Sequence, residues 1–369
     1  MLKFLKNYIL NQPKKMISYH DYMSIVLYDE QHGYYMSGNK KIGKEGDFYT
    51  SSNISDAFAR IVARLCIKVW QNSSLLPQVV ELGGGNGRFA RLFLKEIEAL
   101  DEIVYSKLHY YMIDTSPYHR YLQAKEVPKD KVTLLEDLSQ LSSPFNGIVF
   151  SNEFFDAFPV HVIEKQEGTI YEIFVAFEED NLVEVSVPVS NEDITEYLID
   201  NEIVLTEGQR FEVPLAMINY IKSLSSKLNQ ALILTIDYGY SKEEWQNPIH
   251  HSGSLRGYYK HQLINNPLAY PFQMDLTTHI HFDSLVKYGE KFGLDYLTKL
   301  RQDEFLLQNG ILDLLQENFD TDPFSEKSKQ NRAIRSLIMS GGISQFFYVI
   351  MQQKNIELRE EQIFQELRI

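Results

Sequence analysis

The chain has 369 residues, 44% of them hydrophobic and 13% aromatic, enough to bury a large core in one elaborated domain or two. Its net charge of −14 repels phosphate backbones, which disfavours a nucleic-acid partner and favours cationic or basic protein segments. The single cysteine, Cys66, excludes an internal disulfide and a cysteine-based metal cluster; its place in an apolar run reads as a core residue in a reducing compartment.

The N-terminal stretch MLKFLKNYILNQPKK is amphipathic and is interrupted by Lys6, Asn7 and Asn11, so it makes a poor signal peptide. No apolar run of about eighteen residues occurs, so no membrane span is expected and the reading is a cytoplasmic protein. Ser18 can cap a helix running to Leu27. A glycine-rich loop follows, with His32-Gly-Tyr-Tyr35 and Gly43 to Thr50, and a second helix is predicted from about Ile54 to Trp70.

Apolar strands then alternate with helices. Strands are predicted at 78–83, His109–Asp114, Val132–Leu135 and Gly147–Ser151, with helices at 88–100 and 117–125, which implies a parallel sheet covered on both faces. After Pro159 the pattern changes to hairpin strands at His161–Glu164, Thr169–Phe177 and Leu182–Val187, an antiparallel insertion. Helices are expected at Ile194–Leu198 and Leu215–Leu228, and Ala231–Ile236 reads as the fifth strand of the main sheet. The stretch from Tyr238 to Asp275, dense in Gly, His, Tyr and Pro, reads as an ordered active-site loop. Helices at Phe282–Phe292 and Asp303–Asn318, then segments 345–352 and 358–367, close the chain.

Residues 78–88, QVVELGGGNGR, form a strand, a tight glycine turn and a helix start. Glu81 with Gly83, Gly85 and Gly87 suits the amino-acid end of S-adenosylmethionine (SAM), with Glu81 placed to hold an ammonium group. A dinucleotide turn remains open, since Gly85, Gly87 and Ala90 meet its GxGxxA form; a purely structural turn is the third reading. Asp114, at the end of the second strand, can accept ribose hydroxyls and serves SAM or NAD equally. Asp137, at the end of the third, can lie beside an adenine amino group or in a solvated turn.

Asn152-Glu153-Phe154-Phe155-Asp156 follows the fourth strand, at the carboxyl edge where open α/β sheets bind ligands. Nucleic-acid amino-methyltransferases place Asn-Pro-Pro-aromatic there, and a carboxylate in place of the apolar turn suits a cationic acceptor. Asp156 can equally cap the next turn. Asp237 ends an apolar strand on the same edge and is a site candidate; Glu212 is weaker, because an ion pair with Arg210 explains it as well. The histidines between 250 and 281 lack metal-site spacing, so no metal is expected; a histidine lining an acceptor pocket is the alternative.

With these motifs in place the chain resembles the MidA-type SAM-dependent methyltransferases, the group containing the mitochondrial complex I assembly factor that methylates protein arginine. The resemblance runs over nearly the whole chain. It rests on Gly33-Tyr-Tyr35, Gly46-Asp-Phe-Tyr-Thr-Ser51, Glu81 to Gly87, Asn152-Glu-Phe-Phe-Asp-Ala157 with Pro159-Val160, and Asp237-Tyr-Gly239. Gly253-Ser-Leu-Arg256 with Tyr258 and His261, and Asp275-Leu-Thr277 with His279 and Phe282, extend it. Ser51-Ser52-Asn53 departs from the family's Ser-Pro-Glu, His281 from its acid, and Asn86-Gly87-Arg88-Phe89 from its Arg-Gly-Thr-Leu.

The resemblance implies an α/β, Rossmann-like class I methyltransferase sheet, mostly parallel with one antiparallel edge strand. It implies an N-terminal helical lid region (1–75), a SAM-binding first half (76–160), a β-rich insertion (161–213) and a second half with substrate loop and C-terminal helices (214–369). SAM is the implied cofactor, bound by Thr50, Ser51, Glu81, Gly83, Gly85, Gly87, Asp114, Thr115, Ser116, Asp137, Leu138 and Asn152. Glu153, Asp156 and Asp237 are the catalytic candidates; Glu212, Tyr238, Arg256, Tyr258, His261 and His279 are the acceptor-side candidates. The acceptor is expected to be a protein segment rich in basic residues, with a small molecule or a non-catalytic assembly role as alternatives. A homodimer is compatible with the sequence.

Overall fold

The computed structural model describes residues 1–38, 56–316, 322, 325–339 and 346–364. The chain divides into two compact units. One comprises Tyr49–Phe154, Ser223–Tyr238 and Gly289–Ile369; the other comprises Met1–Phe48, Phe155–Lys222 and Gly239–Tyr288. The four consecutive regions expected from the sequence do not coincide with these units, because both are assembled from separated stretches of chain.

The first unit is built on seven strands: β1 (Gln78–Leu82), β2 (His109–Ile113), β3 (Val132–Leu135), β4 (Phe145–Asn152), β5 (Leu228–Tyr240), β6 (Asp295–Arg301) and β7 (Phe347–Lys354). Their order is β3-β2-β1-β4-β5-β7-β6. β1 to β5 are mutually parallel, and β7 runs antiparallel to both β5 and β6. The antiparallel strand expected at the edge is therefore one place in, with β6 outside it. β5 places Ala231 to Asp237 in a wholly buried run, as a strand covered on both faces requires.

Helix Arg88–Leu100 turns Phe89, Leu92, Phe93 and Ile97 inward, and Phe89 stacks on Phe150 of β4 at 4.5 Å. Helix Asp56–Asn72 packs its buried face, Phe58 to Val69, on the same core. Cys66 is part of that core, and burial pushes its thiol pKa up, so it is an inert packing residue. Glu96 ties the two helices together through Arg60 Nε at 2.7 Å and Arg64 Nε at 3.3 Å.

The second unit carries a five-stranded antiparallel sheet. Strand Thr169–Glu178 pairs with His161–Gln166, Asn181–Pro188 and Met16–Ser18, and His161–Gln166 pairs on its other side with Arg210–Val213. The hairpin insertion is as expected; its recruitment of residues 16–18 and 210–213 is not legible in the sequence. Helix Tyr19–Tyr28 starts where Ser18 accepts from the Asp21 backbone N–H. The expected loop from 238 to 275 contains regular structure: helix Lys242–Trp245 and strands Arg256–Tyr259 and Gln262–Ile264, which join Asp275–Thr277 in a three-stranded sheet. The helix expected over 303–318 stops at Gln308, because Gly310 takes a left-handed φ of 79° and a short 3-10 turn follows.

Candidate active site

Parallel pairing sets Leu82 level with Ile113 and Ser151, Ile113 level with Leu135, and Ile236 level with Asn152. Gly83, Asp114, Asp137 and Glu153, which follow these strands, and Asp237, which comes next after Ile236 within β5, therefore lie along one carboxyl edge.

The turn after β1 is shaped by close approach. Gly83, Gly85 and Gly87 have φ of 69°, 51° and 83°. A Cβ at Gly83 would lie 2.8 Å from the Phe154 ring, and one at Gly84 would lie 2.3 Å from Met112 Cε and 3.1 Å from the Glu81 carboxyl. Glu81 is 4% exposed, and its carboxyl accepts from the Tyr110 hydroxyl at 3.0 Å, its one side-chain hydrogen bond among the described residues. Burial raises its pKa to about 8, against the lowering effect of that bond.

Asp114 is enclosed. Its Oδ1 accepts from Ser116 N at 2.9 Å; its Oδ2 lies 3.2 Å from His119 Nδ1 and 3.2 Å from Gln123 Nε2. The helix Pro117–Glu126 is capped by Ser116, whose hydroxyl accepts from His119 N. Gln123 Nε2 also donates to Gly85 O at 3.0 Å, so one side chain joins the glycine turn to Asp114. Sequence reasoning missed Gln123 and His119; their signal is polarity on the inward face of a helix behind a strand-end acid. Thr115 is exposed and its carbonyl accepts from Arg120. Asp137 is half-buried and caps a 3-10 turn through Ser139 N, which lowers its pKa; Leu138 is buried in that turn.

On the other side of β1, Asn152 Nδ2 donates to Glu153 Oε1 at 3.1 Å, and Glu153 N donates to Ile236 O at 2.9 Å. Glu153 has φ of 51°, the left-handed region that favours glycine. Holding a glutamate there has a cost of about 1 kcal/mol or more, the kind of local strain that gathers at functional turns. Asp237 is fully buried and accepts from Tyr238 N at 2.9 Å; the Tyr238 ring stands edge-on to Phe347.

Two buried carbonyl oxygens on this edge, Gln123 Oε1 and Asn152 Oδ1, have no donor among the described residues. A ligand rich in hydroxyl and amino donors fits them, and the glycine cradle fits its close approach. Thr50 and Ser51 lie outside the described residues.

The remaining candidates belong to the second unit. Asp156 is buried, and its carbonyl accepts from Thr278 N at 2.8 Å. Glu212 is 2% exposed and accepts from Ser254 N, Ser254 Oγ and Leu255 N at 3.0 to 3.2 Å. The expected pairing with Arg210 is not formed: Arg210 makes a two-pronged ion pair with Glu184 at 2.8 and 2.9 Å. Ser254 Oγ accepts in turn from His279 N at 3.0 Å, and His279 Nε2 lies 3.2 Å from Arg256 Nη2. Tyr240 stacks on His279 at 4.3 Å and makes a tilted contact with His250 at 3.9 Å. Tyr258 is half-buried on the strand beside Arg256, whereas His261 is exposed in the hairpin turn that follows, with φ of 62°. Among the described residues no group of His, Cys, Asp and Glu is arranged to hold a metal ion.

A mostly parallel sheet in this strand order, with a glycine turn after β1 and acids ending β2 and β3, defines a class I methyltransferase fold. Residues 61–299 match the family described as "Putative S-adenosyl-L-methionine-dependent methyltransferase", and the chain belongs to that MidA-like family. It is 27% identical over 302 residues to the "Protein arginine methyltransferase NDUFAF7 homolog, mitochondrial" of Drosophila melanogaster, covering 74% of this chain and 66% of the relative. The Xenopus tropicalis "Protein arginine methyltransferase NDUFAF7, mitochondrial" is 27% identical, covering 80% of this chain and 72% of the relative. A crystal structure of a COG1565 superfamily member from Burkholderia thailandensis, bound to S-adenosyl-homocysteine, superposes with a TM-score of 0.89 at 26% identity. That alignment covers 100% of this chain and 96% of the other. SAM is thereby chosen over the dinucleotide left open by the glycine turn. The expected cytoplasmic location has no support from relatives whose names carry the word mitochondrial. Among the described residues no helix is long and apolar enough to cross a membrane.

Proposed function

We propose that this methyltransferase transfers the methyl group of SAM to a guanidinium nitrogen of arginine in a protein, at the carboxyl edge of β1 to β5. The observation that carries the reading is Glu153. It follows β4 on a left-handed backbone; its carboxylate accepts from Asn152 Nδ2, and its backbone N–H donates to the Ile236 carbonyl. The names of the relatives supply the acceptor class.

Bound SAM supplies an activated sulfonium methyl, so the protein must mainly align donor and acceptor. The chain's own residues divide the work. Glu81 and the turn Gly83–Gly87 hold the amino-acid end, Asp114 takes the ribose hydroxyls with Thr115 and Ser116 beside it, and Asp137 and Leu138 flank the adenine. Asn152 Oδ1 and Gln123 Oε1 accept from ligand donors. An arginine guanidinium is charged and a poor nucleophile near neutral pH. Glu153 orients it and localises its charge on one nitrogen, as a carboxylate paired with a planar guanidinium does. Asp237 or Asp156 serves as companion acid. Asp237 is adjacent to the Glu153 turn in the register of β4 and β5 and holds the Tyr238 backbone. Tyr238, Tyr258, His261, His279 and Arg256 serve the acceptor, with Glu212 as a positioning residue that acts through Ser254 on His279.

The acceptor is a basic segment, which the net charge of −14 attracts. The reading includes a homodimer in a reducing, cytoplasm-like compartment. The test is mass spectrometry of arginine methylation after incubating a basic-protein fraction with SAM and either the wild-type chain or Glu153→Gln. The reading predicts wild-type-dependent arginine methylation, and a Glu153→Gln variant that binds SAM normally with turnover reduced about a hundredfold. Loss of SAM binding in that variant makes Glu153 a cofactor residue; methyl transfer only to small molecules removes the protein acceptor.

A further inference from the structure

The sheet formed by Arg256–Tyr259, Gln262–Ile264 and Asp275–Thr277 has two unlike faces. Gly257 and Leu276 face each other on one of them, where Leu276 and Met274 belong to the core and a Cβ on Gly257 would lie 2.2 Å from Met274 Sδ. Side chains alternate along a strand, so Arg256, Tyr258, Asp275 and Thr277 share the other face. Arg256 stands directly opposite Thr277, and Tyr258 opposite Asp275.

Both members of the first pair have a buried polar atom, Arg256 Nε and Thr277 Oγ1, with no hydrogen-bond partner among the described residues. No ion pair of Arg256 occurs among those residues either. Its neighbour at 3.2 Å is His279, whose pKa burial pushes down to about 2, so the ring is neutral and does not compensate the guanidinium. Asp275, diagonal to Arg256, accepts from the Tyr35 hydroxyl at 2.6 Å. A half-buried guanidinium with no paired acid is an expensive arrangement in any protein, and a conspicuous one in a chain with 50 acids and 36 bases. An N–H and a hydroxyl on facing residues of one sheet face, with a positive charge, call for an acceptor that carries negative charge and has two oxygens.

We propose that Arg256 and Thr277 form a carboxylate-binding site for the carboxylate of an amino acid or peptide. Arg256 Nε–H donates to one oxygen and Thr277 Oγ1–H to the other, and the guanidinium supplies the counter-charge. The assignment does not require that the methyl acceptor be arginine. The carboxylate has two sources of the same chemistry, the amino-acid end of the methyl donor or a carboxylate of the acceptor.

The full chain, labelled with nitrogen-15 at arginine, provides the test. The Arg256 Nε–H resonance is assigned with Arg256→Gln and confirmed with Arg256→Lys. It is then followed during titration with sodium formate, S-adenosyl-homocysteine and decarboxylated S-adenosyl-homocysteine. A saturable shift with formate is expected, weakened about tenfold in the near-isosteric Thr277→Val and restored in Thr277→Ser. A shift with S-adenosyl-homocysteine but not its decarboxylated form supports the site with the methyl donor as source. A shift with formate and with neither adenosyl compound supports it with the acceptor as source. No saturable shift with formate or S-adenosyl-homocysteine overturns the proposal and leaves a structural arginine bridged by water. Equal formate affinity in Thr277→Val overturns the paired site.

Discussion

Glu81 and Glu212 are both almost wholly buried glutamates, and burial raises the pKa of both, yet they are equipped for different work. Glu212 is saturated by the backbone and hydroxyl donors of Ser254 and Leu255. Glu81 has the Tyr110 hydroxyl as its one described donor, beside a turn stripped of side chains. A buried carboxyl already surrounded by donors anchors a turn. One with room and few donors stands ready for a cation or donor from a ligand. Burial alone does not separate the two; the count of donors does.

Substitutions sharpen that contrast. Gly83→Val should have the largest effect, a loss of SAM affinity of about a hundredfold or more, because the backbone is left-handed and the added Cβ meets the Phe154 ring. Isothermal titration reads it directly, and unchanged binding would remove the cradle from the site. Glu212→Leu should cost about 3 kcal/mol of stability in chemical unfolding, since three donors lose their acceptor, while SAM affinity stays within twofold. A normal melting curve with lost SAM binding would reverse the roles of the two acids. Asp137→Asn is the mildest, about threefold in SAM affinity, because its carboxylate is half-exposed and already caps a turn; a loss as large as that at Gly83 would give Asp137 a central place.

The sequence displays the cofactor half well. Apolar runs such as Val79-Val80 and Ala231–Ile236 announce buried strands, and the acids that end them fall on one edge because parallel register puts them there. β6 was missed because DYLTKLR turns only Thr298 fully inward, so it carries no apolar signal. The three-stranded sheet within 256–277 was missed because its strands are three or four residues long and are separated by turn-forming residues. Glu212 was assigned to Arg210 or to the acceptor because no local pattern points to Ser254, 42 residues away. The facing of Arg256 and Thr277 is likewise a matter of strand register between distant segments, which composition does not encode.

The most direct test of the account is a SAM titration of the wild-type chain and Glu81→Gln across pH, with proton uptake recorded. In the ligand-free protein the folded-state pKa of Glu81 is raised from 4.5 to about 8, so its contribution to stability is fully present below the unfolded value and is lost as pH rises to about 8. Pairing with the cofactor's ammonium requires the ionised form, so wild-type affinity should climb from about pH 5 to about 8 with proton release, and fall above about 8 as the α-amino group loses its charge. Glu81→Gln should bind about thirtyfold more weakly at pH 7.5 and show no climb. A Glu81→Gln variant that binds SAM as tightly as wild type, with the same pH profile, would contradict the assignment of Glu81 to the cofactor.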